Sequence, residues 1–113
     1  FMCDDAEYII VAFGIIARIA QKAIEIAREN GHKIGLFRPI SLYPFPTDQI
    51  KALAENPRVK GFLSVELSAG QMIEDIRLAV EGRKPVGFFG RQGGMVPTPG
   101  EVEEALYKQF NIK

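Results

Sequence analysis

The sequence has few of the residues on which several classes of binding site depend. It contains one cysteine, Cys3, one histidine, His32, and no tryptophan. A single cysteine excludes an internal disulfide, and it cannot hold zinc or an iron–sulfur cluster, which need about four protein ligands. His32 has no Asp, Cys or His partner at ligand spacing, so we expect its side chain to be solvated. The chain alone is therefore predicted to bind no metal.

Net charge and long apolar runs are absent as well. Fourteen basic residues balance fourteen acidic ones, so no electrostatic surface for nucleic acid or for an anionic membrane is predicted. No apolar run reaches the roughly 18 to 20 residues that a membrane-spanning helix requires. We expect a cytoplasmic location, and because the chain begins Phe-Met-Cys we expect it to be a piece of a longer polypeptide.

Sequence motifs that join a nucleophile to a base are also missing. There is no G-x-S-x-G, no P-loop, no H-E-x-x-H and no C-x-x-C. We therefore predict no catalytic residue, no cofactor-binding residue and no metal ligand in this chain, and we expect it to be inactive alone.

What is present is a strand–helix pattern in 113 residues, of which 47% are hydrophobic and 25% charged. Residues 8–13 form an unbroken apolar run, which is typical of a strand buried on both faces of a parallel sheet. Gly14 separates this run from a helix with an apolar stripe, and Asn30-Gly31 ends that helix. The length and composition predict one domain over residues 1–113.

Three further units of the same kind follow. The predicted strands are 33–38, 59–66 and 85–89, and the predicted helices are 46–56, 69–81 and one that begins at a Thr98–Glu101 capping box. This alternation predicts a three-layer α/β/α sandwich with four parallel strands in the order 2-1-3-4. Ligands and partners of such sheets gather where the strands end. We call the four strand ends, with the turns that follow them, the carboxyl edge.

Glu66 ends the third predicted strand at this edge. One interpretation is an acid/base or a hydrogen-bonding group that reaches toward a neighbouring active site. The other is a partly exposed residue paired with an arginine or lysine.

The turn after Glu66 also has two interpretations. Ser68 and Gln71 form a capping box, a structural feature of a helix start. The same free N–H groups, with Gly70 allowing close approach, could hold an anion.

The loop G-R-Q-G-G, with Arg91, Gly93 and Gly94, follows the fourth predicted strand. A backbone nest beside Arg91 could bind phosphate. The glycine spacing makes the loop only a weak match to a dinucleotide fingerprint, and a mobile loop or one that a partner orders is the interpretation we favour.

The loop after the second predicted strand is rich in proline and in large apolar side chains, among them Leu42, Tyr43 and Phe45. Leaving each one solvated costs about 1.5 to 3 kcal/mol relative to burial. They are predicted either to form an interface with another domain or subunit or to pack onto the second helix.

Taken together, four segments resemble the C-terminal domain of the alpha subunit of 2-oxoacid:ferredoxin oxidoreductases, of the 2-oxoisovalerate and 2-oxoglutarate types. They are YIIVAFGIIARIAQKAIEIARENG, GLFRPISLYPFP, FLSVELSAGQMIEDIRLAV and GFFGRQGGMVPTPGEVEEAL. The SVELSAGQ-x-x-x-D-I-R and GRQGG-x-x-PTP-x-E patterns are the more specific parts. More distantly, the fold is similar to the transketolase C-terminal domain.

The resemblance implies an enzyme that oxidatively decarboxylates a 2-oxoacid to an acyl-CoA and reduces ferredoxin. Its holoenzyme would use thiamine diphosphate, Mg, iron–sulfur clusters and coenzyme A. This chain lacks the G-D-G…N pattern for metal-diphosphate binding, so those groups are expected on other domains. The implied partners are the N-terminal domain of the same subunit, the beta and other subunits, and, through the holoenzyme, ferredoxin.

For this chain the resemblance implies a packing role, with its residues placed on the edge that faces those partners. The positions carried over are Gly14, Glu66, Gly70, Gln71, Gly93 and Gly94. Two rival functions stay open: the equivalent domain of a transketolase or of a 2-oxoacid dehydrogenase beta subunit, and a free-standing module whose G-R-Q-G-G loop binds a phosphorylated ligand.

Overall fold

The computed structural model of the protein describes residues 5–38, 47–66, 73–90 and 97–110. Four strands alternate with four helices over these ranges. In chain order they are β1 (Tyr8–Ala12), α1 (Ile15–Glu29), β2 (Ile34–Phe37), α2 (Thr47–Glu55), β3 (Gly61–Glu66), α3 (Ile73–Val80), β4 (Val86–Gly90) and α4 (Pro99–Phe110). Among the helices in these ranges, none has the length and apolar character needed to cross a membrane.

All strand pairings are parallel, and the sheet order is β2-β1-β3-β4. Tyr8 lies beside Ile34 on one side and Gly61 on the other, and Phe62 lies beside Val86. The predicted fold class and strand order are therefore confirmed. Because the strands start and end in near register, their carboxyl ends form one continuous edge.

The central strand β1 is buried on both faces, as its unbroken apolar run predicted. Ile10 and Ala12 pack in the cluster formed with α1 and α4, while Ile9 and Val11 pack in the cluster formed with α2 and α3. Each of these four side chains is 0% exposed. Helices thus cover the sheet on both sides, which completes the three-layer sandwich.

The predicted apolar stripe of α1 lies against the sheet. Its fully buried members are Ile16, Ala20, Ala23, Ile24 and Ala27, and Ile19 packs against the same cluster. Asn30 caps the helix through its backbone N–H, and Gly31 has a φ of 88°, a left-handed conformation that glycine adopts without strain.

The predicted capping box at the start of α4 is present. The Thr98 backbone N–H donates to Glu101 Oε1 over 2.9 Å, and the Glu101 N–H donates to Thr98 Oγ1 over 3.2 Å. Pro99 occupies the first helical position, where its missing N–H leaves no hydrogen bond unmade. Val102 and Leu106 are the buried residues of this helix.

Most predicted boundaries shift by one or two residues, and two of these shifts have a clear physical reason. β3 starts at Gly61 rather than at residue 59, because the Val59 N–H donates to the Asn56 carbonyl in a turn. The third helix ends at Val80, because Glu81 and Gly82 both have positive φ, 55° and 75°.

Candidate functional site: the carboxyl edge of the sheet

The carboxyl edge brings together two of the predicted site residues, Gly14 and Glu66. The register pairs Ala12 with Val65 and Glu66 with Gly90, so the ends of β1, β3 and β4 are adjacent. Gly14 follows β1 after one residue, and Glu66 is the last residue of β3. Both therefore lie at the point where the chain order reverses in the sheet, between β1 and β3.

Gly14 turns the chain directly from strand into helix. It is the N-cap of α1 with φ 71° and ψ −142°, a conformation that residues with a side chain adopt only with strain. A Cβ atom built there would meet nothing within 4 Å. The requirement for glycine at this position is therefore conformational, and α1 begins without a side-chain cap.

Phe13 also lies at this edge, although the sequence did not single it out as a candidate site residue. It closes the apolar run that predicts β1, but the strand ends at Ala12 and the Phe13 side chain is 41% exposed. An exposed aromatic ring at a strand end is an apolar contact point for another protein surface.

Glu66 is buried, with 7% of its surface exposed, and is not the partly exposed residue of one interpretation. Its Oε2 atom accepts a hydrogen bond from the Ser64 hydroxyl over 2.9 Å and one from the Ile73 backbone N–H over 3.1 Å. Ser64 is also buried, at 0% exposed. A catalytic acid/base role for Glu66 remains a prediction.

The Glu66 hydrogen bonds connect the end of β3 to the start of the described part of α3. A carboxylate near the N-terminus of a helix is favoured by the helix dipole and by backbone N–H groups that lack helical partners. Glu66 thereby joins the last residue of β3 to Ile73 of α3.

The remaining predicted site residues lie outside the described residues. They are Leu42, Tyr43, Phe45, Gly70, Gln71, Arg91, Gly93 and Gly94, together with Ser68 of the capping box. Their position on the carboxyl edge stays a prediction from the strand order.

The described residues do not fit a metal or a metal-bound cofactor. Over 5–38, 47–66, 73–90 and 97–110, no group of three or more His, Cys, Asp or Glu side chains could hold a metal ion. The buried polar residues of these ranges are Ser64 and Glu66, which bond to each other. No donor set for Mg²⁺ or for an iron–sulfur cluster is therefore formed there.

A second polar cluster lies at the opposite end of the sheet, where the strands begin and α1 and α4 end; we call this end the amino edge. The Tyr107 hydroxyl donates to Glu103 Oε2 over 2.6 Å, and Asn30 Nδ2 donates to the same oxygen over 3.2 Å. Burial and the hydrogen bond to Glu103 raise the pKa of Tyr107 to about 12. These bonds join the end of α1 to α4.

His32 belongs to this cluster, and the prediction that it is solvated is wrong. Its ring is half-buried and lies 5.1 Å from the Tyr107 ring, measured between centroids. The two residues are far apart in sequence, and no local pattern around His32 indicates the contact.

A comparison with solved structures identifies the fold. The chain superimposes with a TM-score of 0.81 and 19% sequence identity on a structure described as "Split gene transketolase, inactive beta4 tetramer". The match covers 97% of this chain and 40% of that chain. At this identity the likeness shows a shared fold, in agreement with the predicted transketolase C-terminal-like architecture.

Three relatives are similar in sequence. Ketoisovalerate oxidoreductase subunit VorB of Methanothermobacter thermautotrophicus is 49% identical over 94% of this chain and 29% of its own length. Pyruvate synthase subunit PorA of Pyrococcus horikoshii is 32% identical over 94% of this chain and 29% of its own. 2-Oxoglutarate synthase subunit KorA of Methanothermobacter marburgensis is 29% identical over 88% and 26%.

The chain thus spans less than a third of the length of these relatives. A model of the family described as "Pyruvate:ferredoxin oxidoreductase core domain II" matches residues 6–102, which include all four strands and the two predicted site residues described above, Gly14 and Glu66. The resemblance found in the sequence is confirmed: the chain belongs to the family of core domain II of pyruvate:ferredoxin oxidoreductases.

Proposed function

We propose that this chain is the C-terminal domain of the alpha subunit of a thiamine diphosphate-dependent 2-oxoacid:ferredoxin oxidoreductase, an enzyme that converts a 2-oxoacid to an acyl-CoA and reduces ferredoxin. The observation that carries the proposal is the 49% identity with the ketoisovalerate oxidoreductase subunit over 94% of the chain. Identity is lower with the pyruvate synthase subunit, at 32%, and with the 2-oxoglutarate synthase subunit, at 29%. This order favours a branched-chain 2-oxoacid as substrate.

Within that enzyme the domain has a packing role. The described residues form no metal donor set, and the buried Ser64 hydroxyl donates to Glu66 rather than to a base beside a cleft. We propose that thiamine diphosphate, Mg²⁺, the iron–sulfur clusters and coenzyme A bind on other domains and subunits, since this chain lacks the G-D-G…N pattern, and we assign no reaction step to this chain.

The carboxyl edge is suited to that packing role. Gly14 and Glu66 hold the backbone at the ends of β1 and β3 in fixed conformations. The apolar ring of Phe13 is partly exposed to solvent beside them. Because Phe13 is 41% exposed, burying the rest of it at an interface contributes about 1 kcal/mol. The partners of this edge are the N-terminal domain of the same subunit and the beta and other subunits.

The proposal is tested by activity of the assembled enzyme. The full-length alpha subunit that contains this chain is co-expressed with its partner subunits, and coenzyme A-dependent reduction of ferredoxin is measured with 2-oxoisovalerate, pyruvate and 2-oxoglutarate. We expect the highest kcat/KM with 2-oxoisovalerate and no turnover by the 113-residue chain alone. Transketolase activity without ferredoxin reduction, or turnover by the chain alone, would contradict the proposal.

A further inference from the structure

The end of α1 carries the dipeptide Asn30-Gly31, and both residues are exposed to solvent. An asparagine side chain can react with the backbone nitrogen of the residue that follows it, with loss of ammonia. Glycine in the second position has no side chain to hinder the approach of that nitrogen. The dipeptide is therefore capable of deamidation, and the fold determines whether the two reacting groups meet.

The backbone conformation keeps these two groups apart. Asn30 has φ −88° and ψ 8°. A ψ near zero eclipses the Gly31 nitrogen with the Asn30 nitrogen, and the Asn30 Cβ then lies about a third of a turn away around the Cα–C bond. The Gly31 nitrogen cannot reach the side-chain Cγ from this position, so the reaction requires a rotation about ψ of Asn30.

The hydrogen bonds of a Schellman motif oppose this rotation. The Gly31 N–H donates to the Arg28 carbonyl over 3.0 Å, and the His32 N–H donates to the Ala27 carbonyl over 3.0 Å. Gly31 has the positive φ, 88°, that the motif requires. Rotation at Asn30 breaks both bonds, so the Gly31 nitrogen is released only when the end of α1 opens locally.

The side chain of Asn30 is held as well. Its Nδ2 donates to Glu103 Oε2 over 3.2 Å, and the Tyr107 hydroxyl donates to the same oxygen over 2.6 Å. The Glu103 carboxylate thus lies beside the amide that would be attacked, and its charge disfavours the negative oxygen that develops on Cγ during the attack. The contact between α1 and α4 therefore slows the reaction both by fixing the amide and by its charge.

From these observations we propose that Asn30-Gly31 is a modification site at which Asn30 deamidates, at a rate set by the hydrogen bonds that join α1 to α4 at the amino edge. When the end of α1 opens, the Gly31 nitrogen forms a bond to Asn30 Cγ, the Cγ–Nδ2 bond breaks, and the proton of the Gly31 N–H passes through solvent to the departing ammonia. Water then opens the succinimide ring. Cleavage of the bond from nitrogen to Cγ gives aspartate, and cleavage of the bond from nitrogen to the Asn30 backbone carbonyl carbon gives isoaspartate.

The product changes the contact between the two helices. Asn30 donates a hydrogen bond to Glu103, whereas a carboxylate at position 30 places a second negative charge there, and the two charges repel. Isoaspartate also adds a methylene group to the backbone, which disrupts the Schellman motif. Deamidation thus weakens the contact between α1 and α4. The site lies at the opposite end of the sheet from the carboxyl edge, so the inference does not depend on the proposed function.

The rate is measured on the full polypeptide that contains this chain, incubated at neutral pH. Trypsin cleaves after Arg28 and Lys33 and releases residues 29–33. Mass spectrometry of this fragment detects the change of the amide NH₂ to OH, and an isoaspartyl methyltransferase assay detects isoaspartate. A synthetic peptide of residues 26–36, which has no fold to protect it, provides the reference rate.

We expect conversion of Asn30 in the folded protein at least about tenfold more slowly than in the free peptide, because only the locally open state reacts. Asn56 is an internal control. It precedes Pro57, whose nitrogen carries no proton and cannot form the ring, so Asn56 should stay unmodified over the same time.

Three variants separate local opening from global unfolding. Glu103→Ala removes the acceptor that Asn30 and Tyr107 share, and we expect it to accelerate conversion about threefold to tenfold. Glu104→Ala, the matched control on the same helix, removes an exposed carboxylate that pairs within α4 and should leave the rate unchanged. Glu66→Ala destabilises the distant carboxyl edge and should accelerate conversion less than Glu103→Ala does.

The effect of the product is tested with Asn30→Asp. The equilibrium constant for unfolding, measured by urea denaturation, should rise about threefold. In a Glu103→Gln background, where the facing charge is gone, the same substitution should raise it less. Equal effects in the two backgrounds would overturn the proposed repulsion between position 30 and Glu103.

Three results would overturn the modification site itself. One is no conversion of Asn30 in the wild type after about a hundred half-lives of the free peptide. Another is equal rates in the protein and the peptide. The third is greater acceleration by Glu66→Ala than by Glu103→Ala, which would assign the reaction to the unfolded chain. Circular dichroism checks the fold of each variant, and Glu103→Gln, which should also exceed the wild-type rate, decides if Glu103→Ala does not fold.

Discussion

At the amino edge, side chains from α1 and α4 pack over the sheet, whereas at the carboxyl edge the ring of Phe13 projects into solvent. Tyr8 stacks on Phe110 with ring centroids 4.6 Å apart, and Tyr107, Glu103 and Asn30 link the two helices. Among the described residues, the amino edge is held by contacts between side chains of different elements. The described part of the carboxyl edge is held by the Gly14 turn and the Glu66 hydrogen bonds, and it carries an exposed aromatic ring.

The largest effect of a substitution is expected on subunit assembly, at Phe13 of the carboxyl edge. Phe13→Lys should weaken assembly of the full enzyme by about 3 kcal/mol, or roughly a hundredfold, because an apolar contact is lost and a charge is buried at the interface. Subunit association is measured by analytical ultracentrifugation. The folded state of the chain itself should be unchanged.

The matched control for this variant is Leu78→Lys, since Leu78 on α3 is 72% exposed and away from the carboxyl edge. Assembly of this control should equal that of the wild type. An equal loss of subunit association in both variants would mean that any added lysine disturbs the complex. Phe13 would then not be a specific contact of the carboxyl edge.

The second effect concerns the rigid backbone of the carboxyl edge. Glu66→Ala leaves the buried Ser64 hydroxyl and the Ile73 N–H without this acceptor, so we expect a loss of about 2 to 3 kcal/mol in the free energy of unfolding. Urea denaturation of the chain measures it. Glu66→Gln retains an acceptor oxygen and should lose about 1 kcal/mol, and a neutral effect of both variants would remove Glu66 as the anchor of α3.

Much of this architecture could be predicted from local sequence patterns. The apolar run that forms β1, the break at Gly14, the left-handed Gly31 and the Thr98–Glu101 capping box each depend on neighbouring residues. Right-handed crossovers then leave only a few possible strand orders, of which 2-1-3-4 is one. These features need no knowledge of distant contacts.

Features that depend on distant contacts could not be predicted in this way. The contact of His32 with Tyr107 joins the connection after α1 to α4, which is far away in sequence. Glu66 was placed correctly at a strand end, but its burial depends on where the chain returns at Ile73. Phe13 belongs to an apolar run, and the run does not show where the strand stops.

A smaller effect on the free energy of unfolding is expected for Tyr107 at the amino edge, and this effect depends on pH. Because burial and Glu103 raise the pKa of Tyr107 to about 12 from 10.0, the folded state holds this proton more tightly than the unfolded chain does. The stabilisation is fully present below pH 10 and is lost as the pH rises through 12. With a partly exposed hydroxyl, we expect it to be about 1 kcal/mol.

Comparison with Tyr107→Phe isolates this group from the lysines and from the other tyrosines. The variant should be less stable than the wild type below pH 10, and the difference between the two should shrink between pH 10 and 12. Glu103→Gln, which keeps an acceptor but removes the charge, should move the transition to lower pH. A constant difference across this range would show that the hydroxyl does not titrate with folding.

The smallest effect is expected at Asp5, the exposed partner of Arg28. The hydrogen bond from Arg28 is the main cause that lowers the pKa of this carboxyl below 3.8. Its contribution to stability is therefore present above pH 3.8 and is lost as the pH falls through the lowered value. Asp5→Asn should reduce stability slightly at pH 7, less in 1 M salt, and not at all at the lowest pH.

Arg28 also donates a hydrogen bond to the carbonyl of Ile34, the first residue of β2. The Asp5→Asn variant therefore tests whether the ion pair holds the guanidinium in this position. If it is, amide exchange near Ile34 should rise in the variant, whereas Glu25→Gln on the same helix should leave it unchanged. Unchanged exchange in both would mean that packing of α1 alone places Arg28 there. The position of Arg28 beside the Ile34 carbonyl would then depend on the apolar stripe of α1 and not on the ion pair with Asp5.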